Sequence, residues 1–132
     1  MKVFVDTSAF YASFTPDDRH FTVAESAFRR LVEDQMELAT TNYVLLECAS
    51  LIQKRKGFSC AERFWDKTQE GLLVIWIDEF LHRKAYSLWR EAGKRELSFV
   101  DCASFAAMRH GGIRKAFAFD KHFKAYGFEM MR

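Results

Sequence analysis

The chain has 132 residues, 49 % of them hydrophobic, including 14 Phe and 3 Trp: enough for one sizeable core and too few residues for two domains. One Pro and six Gly exclude a collagen-like repeat, a long flexible linker and a disordered chain. The 20 basic and 18 acidic residues leave +2, which by itself selects no class of partner, although acids gathered in one cleft would leave the remaining surface more basic.

Three cysteines, Cys48, Cys60 and Cys102, are odd in number and lack C-x-x-C spacing, the usage of a reducing compartment. No apolar run approaches the ~20 residues of a membrane span. The opening Lys2-Val3-Phe4-Val5 reads as a strand and not as a signal-peptide core. A cytoplasmic protein without membrane contact is expected.

In chain order, Val3–Val5 is a short apolar strand ended by Asp6-Thr7-Ser8, which can cap a helix through about Phe14. Thr15-Pro16-Asp17-Asp18 reads as the start of a second helix, Pro at its first position, with Phe21, Ala24, Phe28, Leu31 and Val32 as the apolar stripe. Glu37–Thr40 is a short strand, followed by a helix from about Thr41 to Arg55 and another from Ser59 to about Gln69. Leu72–Ile77 is the strongest strand signal, and Asp78-Glu79 opens a helix carrying Phe80, Leu81, Leu88 and Trp89. Ser98–Arg109 is a helix stopped by Gly111-Gly112, then Lys115–Phe119 a strand, with a last strand at Phe128–Met131. Strands alternating with helices imply one α/β domain over residues 1–132, a mostly parallel sheet of four to five strands covered on both faces.

Four acids stand where a strand ends or a helix begins: Asp6, Glu47, Asp101 and Asp120. Strand ends of a parallel sheet converge on one edge, where ligands bind, and four carboxylates there would repel one another unless a divalent cation joined them. Each also has a plainer explanation. Asp6 is a good N-cap, Ser98-x-x-Asp101 is a capping box, and Asp120 can cap the turn at Lys121-His122-Phe123. Glu47, at the flank of its helix's apolar stripe, could pair with Lys54 or Arg55.

The segments Val-Phe-Val-Asp6-Thr-Ser-Ala, Thr-Thr-Asn before the Glu47 helix, Leu-Ser98-Phe-Val-Asp101-Cys-Ala-Ser-Phe-Ala and Phe119-Asp120-Lys-His-Phe resemble, in order and spacing, the PIN-domain ribonucleases, especially VapC-like toxins of bacterial toxin–antitoxin pairs. The likeness spans nearly the whole chain and implies a three-layer α/β/α fold. Cys102 stands where the family often has Ala. The resemblance implies a Mg²⁺- or Mn²⁺-dependent endoribonuclease that leaves a 5′-phosphate and a 3′-hydroxyl. It puts Asp6 and Asp101 forward as principal metal ligands, Glu47 and Asp120 as holders of water or a second ion, and Thr7 and Ser8 as supports. It further implies an antitoxin partner and a homodimer.

Lys54-Arg55-Lys56 and Arg114-Lys115 are candidate grips on an RNA backbone, against the plainer reading of solvated helix ends. Phe10, Tyr11 and Phe14 are the aromatics best placed to stack on bases. His20, His82, His110 and His122 show no zinc-type spacing and are read as structural. Two other function classes stay open. A receiver-type phosphoacceptor expects an acidic pair after the first strand, which the lone Asp6 does not supply. A silent PIN-like binding module would not need all four acids.

Overall fold

The computed structural model describes residues 1–131. The elements follow in the order β1 (Lys2–Val5), α1 (Thr7–Phe14), α2 (Phe21–Glu33), β2 (Glu37–Thr41), α3 (Asn42–Lys56), α4 (Phe58–Lys67), β3 (Leu72–Ile75), α5 (Glu79–Ala92), α6 (Phe99–Gly111), β4 (Lys115–Phe117), α7 (His122–Ala125) and β5 (Glu129–Met130). Their five strands form one sheet in the order β3-β2-β1-β4-β5, with every pairing parallel. The expected α/β class is thus observed, and the sheet is wholly parallel.

Position in the sheet explains the strand compositions. Central β1 carries Val3, Phe4 and Val5, all fully buried, as a strand covered on both faces requires. On one side Phe10, Phe28 and Phe64 interlock, with the Phe10 ring edge-on to Phe64 at 5.8 Å. Elsewhere Phe105 packs edge-on to Phe123 at 5.1 Å, and Phe123 in turn meets Phe4.

Four sequence expectations need correction. No helix begins at Thr15-Pro16: Thr15 ends the preceding helix, its buried hydroxyl donating to the Tyr11 carbonyl at 2.6 Å, and residues 16–20 form turns before α2 starts at Phe21. The buried face of α2 is Ala24, Ala27 and Leu31, while Val32 points outward. The strand with the strongest signal is an edge strand and stops at Ile75. There the Asn42 side chain accepts the Ile77 N–H at 2.6 Å, drawing the chain off the ladder and leaving Trp76 exposed. Similarly, β4 ends at Phe117 instead of Phe119, so Asp120 lies in the turn beyond the strand.

Caps set where the helices point. Asp78 accepts the Leu81 N–H at 3.0 Å to start α5, which packs along α6. Gly112 stops α6 in the left-handed conformation (φ 68°), for which glycine carries no Cβ penalty, and releases the chain into β4. Asp78→Ala is expected to cost about 1 kcal/mol, lowering the melting temperature by roughly 3–5 °C, with Asp78→Ser restoring most of it; thermal denaturation by circular dichroism checks this.

Candidate active site

The chain runs outward from β1 to β2 to β3, then returns through α5 and α6 to set β4 on the other side of β1. The strand order therefore reverses between β1 and β4. Ligands of open α/β sheets bind in the crevice beyond the carboxyl ends of strands at such a point. Asp6 follows β1 and Asp120 lies just past β4, so both border this crevice. Glu47 projects into it from α3 and Asp101 from the first turn of α6, and all four acids line a single cleft of ≈ 310 Å³.

Each acid is held by at least one hydrogen bond. Asp6 is 2 % exposed and caps α1, its Oδ2 accepting from the Ser8 N–H at 3.2 Å and the Ser8 hydroxyl at 2.8 Å. Ser8 Oγ in turn accepts the Phe119 N–H at 2.9 Å, tying the end of β1 to the segment after β4. Thr7 donates its hydroxyl to Glu47 Oε1 at 2.7 Å, joining α1 to α3. Asp101 completes the capping box: its Oδ2 accepts the Ser98 N–H at 3.1 Å while its own N–H donates to Ser98 Oγ at 3.0 Å. Asp120 Oδ1 accepts the His122 N–H at 3.0 Å. The capping roles anticipated for Asp6, Asp101 and Asp120 are all real, and they aim the same carboxylates into the cleft.

The charges are mutually unfavourable. Burial, then the negative charges of Asp120 and Asp101, push Asp6 up to about 7, against the opposing pull of the Ser8 hydrogen bonds. Glu47 is raised by burial and by Asp101 and Asp120, with Thr7 opposing. Asp101 is raised by burial and by Asp120, with Ser98 and His122 opposing.

His122, set aside in the sequence reading as structural, belongs to this cluster. Its Nδ1 is 3.3 Å from Asp101 Oδ2 and 3.6 Å from Asp120 Oδ1, and one ligand atom from each of these three residues fits within a 4.8 Å span. The Nδ1 atom is buried and makes no directed hydrogen bond among the described residues. Oxygen donors, one ring nitrogen and raised carboxyl pKa values together fit a divalent cation. The only available sequence signal was the two-residue step from Asp120.

The remaining candidates divide. Arg55 lines the cleft, its guanidinium 5.5 Å over the Tyr11 ring, and Tyr11 lines it too. Lys54 is exposed beside it on α3, and Lys56 is engaged by Asp17 at 2.7 Å. Arg114 and Lys115 lie at the amino end of β4, on the opposite edge of the sheet. Phe10 and Phe14 pack against Phe64 instead of facing substrate space. Sequence reading missed His20, which lines the cleft stacked on Phe119.

Residues 3–129 match the PIN domain family. The chain belongs to that family. This PIN domain is 35 % identical over 133 residues, 98 % of either chain, to the "23S rRNA-specific endonuclease VapC20" of Mycobacterium tuberculosis, in strains CDC 1551 / Oshkosh and H37Rv alike. The crystal structure of M. tuberculosis VapC20, described as a sarcin–ricin loop cleaving toxin, superposes with a TM-score of 0.88 at 33 % identity, covering 98 % of both chains. VapBC2 from Rickettsia felis, solved with a DNA fragment from its promoter, gives 0.73 at 13 % identity over 99 % of this chain and 98 % of that one, a likeness of fold alone. The PIN domain is thus a VapC20-like endonuclease toxin, and its four acids line the crevice at the switch point of the sheet. No helix among the described residues is long and apolar enough to cross a membrane.

The raised Asp6 has a consequence for stability. Its carboxyl ionises near 3.8 when unfolded and near 7 when folded, so the folded PIN domain holds the extra proton between these values. Metal-free stability is therefore expected to fall as pH rises from 4 to 7. Asp6→Asn keeps an oxygen for the Ser8 bonds and should flatten that slope, which urea denaturation across the pH range would reveal.

Proposed function

We propose that this protein is a metal-dependent endoribonuclease toxin that cuts ribosomal RNA in the sarcin–ricin loop, leaving a 5′-phosphate and a 3′-hydroxyl. The observation that carries the reading is the convergence of all four acids in one cleft of a chain similar over its full length to a toxin with that target. The cleft lies at the sheet's switch point, open to a strand laid across it.

Asp101, Asp120 and His122 would hold a Mg²⁺ or Mn²⁺ ion, with Asp6 and Glu47 facing it across the cleft, directly or through water. When bound, the ion supplies positive charge for the attacking and leaving oxygens of an in-line displacement at phosphorus. The protein's own residues orient the acids. Thr7 occupies Glu47 Oε1 and leaves Oε2 free to take a proton from the attacking water. Ser8 fixes Asp6, and the capping box fixes Asp101, so neither carboxylate must be ordered when substrate arrives. Arg55, braced on Tyr11, meets a neighbouring phosphate; Lys54 extends that basic margin.

Protein partners are part of the proposal. An antitoxin and a second copy of the chain are supported by apolar side chains left exposed on α3 and α5, Leu46, Phe80, Tyr86 and Trp89. The absence of a long apolar helix among the described residues fits a cytoplasmic site of action, where ribosomes are.

Two outcomes test this reading. A sarcin–ricin hairpin RNA should be cut once in Mn²⁺ or Mg²⁺ and left intact in EDTA, and Glu47→Gln should lower kcat by roughly a hundredfold or more with an unchanged fold. An intact hairpin under all metal conditions would refute the substrate assignment. A ring nitrogen among oxygen donors favours Mn²⁺ over Mg²⁺, since first-row transition ions accept nitrogen more readily. His122→Ala is accordingly expected to weaken Mn²⁺ binding roughly tenfold and Mg²⁺ binding much less. Titrated melting shifts measure both, and nitrogen modulation in the pulsed electron-spin resonance of the Mn²⁺-loaded protein should vanish in the variant.

A further inference from the structure

The acid cleft contains an aromatic pair to which the reading above gives no task. His20 lies flat on Phe119, ring centroids 4.3 Å apart and planes within 8° of parallel, and both residues line the cleft with the four acids. The pair is rigidly seated. The Phe119 N–H donates to Ser8 Oγ at 2.9 Å, and that hydroxyl donates to Asp6 Oδ2 at 2.8 Å, so this backbone is two hydrogen bonds from a metal-site acid. Phe119 also meets Phe117, 3 % exposed, at 5.8 Å, which roots the stack in the core. His20 is fixed through its N–H to Asp18 Oδ1 at 2.8 Å, and its ring edge is engaged by Arg19, whose Nε donates to Nε2 at 3.2 Å.

With Nε2 engaged by Arg19 and one face covered by Phe119, the half-buried His20 has its other face to offer in the cleft. A flat delocalised surface offers no hydrogen-bond code, but it matches the face of any nucleobase, and unpaired RNA bases stack on such surfaces. Because the stack is already ordered, little conformational freedom is lost on binding. A core role alone does not explain a polar ring, partly exposed, on the wall of a cleft lined by acids.

We propose that the outer face of the His20–Phe119 stack receives an unpaired nucleobase of the RNA substrate next to the scissile phosphate. This rests on the ribonuclease reading of the same cleft. His20 is then a positioning residue: it holds the nucleotide whose phosphate the acids address and takes no part in bond cleavage. The platform is tolerant of base identity, so it fixes the register of the strand and leaves the choice of sequence to other contacts.

The test uses the full chain, Mn²⁺ and a sarcin–ricin hairpin whose cut site has been mapped. His20→Ala should raise KM roughly tenfold and leave kcat within about twofold, and His20→Phe, which keeps a flat ring, should restore KM. An abasic nucleotide beside the cut should cost the wild type a similar factor and cost His20→Ala little more, as a double-mutant cycle requires of two partners in one contact. The hairpin carrying 2-aminopurine at that position should lose fluorescence on binding to Glu47→Gln and keep it on binding to the His20→Ala, Glu47→Gln double variant. A loss mainly in kcat, failure of His20→Phe to rescue while its melting temperature is unchanged, or additive losses from the abasic site and His20→Ala would each overturn the platform. If the wild type cuts the hairpin and His20→Ala is indistinguishable from it, the platform alone falls. If the wild type neither cuts nor binds the hairpin, the ribonuclease reading falls first and the platform with it.

Discussion

Placing Asp6 at the end of the central strand forces a carboxylate into a nearly water-free position beside two others, and much of the cleft can be understood as a response to that constraint. Burial is the largest contribution raising its pKa, and the Ser8 hydrogen bonds are what the chain sets against it. Ser8 cannot do this alone. Its hydroxyl is oriented by the Phe119 N–H, so the segment after β4 must come to rest against the start of α1. That contact brings Asp120 and His122 to the same crevice, and the parallel pairing of β1 with β4 supplies the register for it. A cation bound there would relieve the remaining repulsion, which the empty protein must otherwise bear.

Much of this was legible in the sequence because the relevant signals are local. Each acid is preceded by a recognisable strand or helix start, and three of the four occupy capping positions whose rules depend on neighbours two or three residues away. A mostly parallel sheet followed from alternation of strands and helices, and all five strands prove parallel. One misread element depends on a contact distant in sequence, another on a local bond that only the folded chain reveals. Asn42 ends β3 from 35 residues away, and Thr15 serves the helix behind it instead of the one ahead. The same limit hid His122 and His20. A histidine near an acid in sequence is unremarkable; what marks these two is a buried nitrogen between carboxylates and a ring lying flat on Phe119.

The sheet also gathers acid at one edge. Four carboxylates collect at the carboxyl ends of the strands, whereas at the amino ends Lys2, Arg114 and Lys115 are mixed with Glu37 and Glu129. The near-neutral total therefore conceals an acidic cleft. RNA would be repelled by the metal-free cleft and admitted once cations offset its charge, with Arg55 as the basic group at the margin.

Capping separates the four acids in one more respect. Asp6, Asp101 and Asp120 each satisfy a backbone N–H near them in sequence, so each has a structural task besides any in catalysis. Glu47 caps nothing: it sits within α3, half-buried, its carboxylate bonded to the Thr7 hydroxyl and its pKa raised by burial and by Asp101 and Asp120. Drift would remove it soonest once selection on activity ended. Among related chains of this architecture, an acid at the Glu47 position is thus the better historical witness of a working enzyme, and the acid that opens α6 the weaker one.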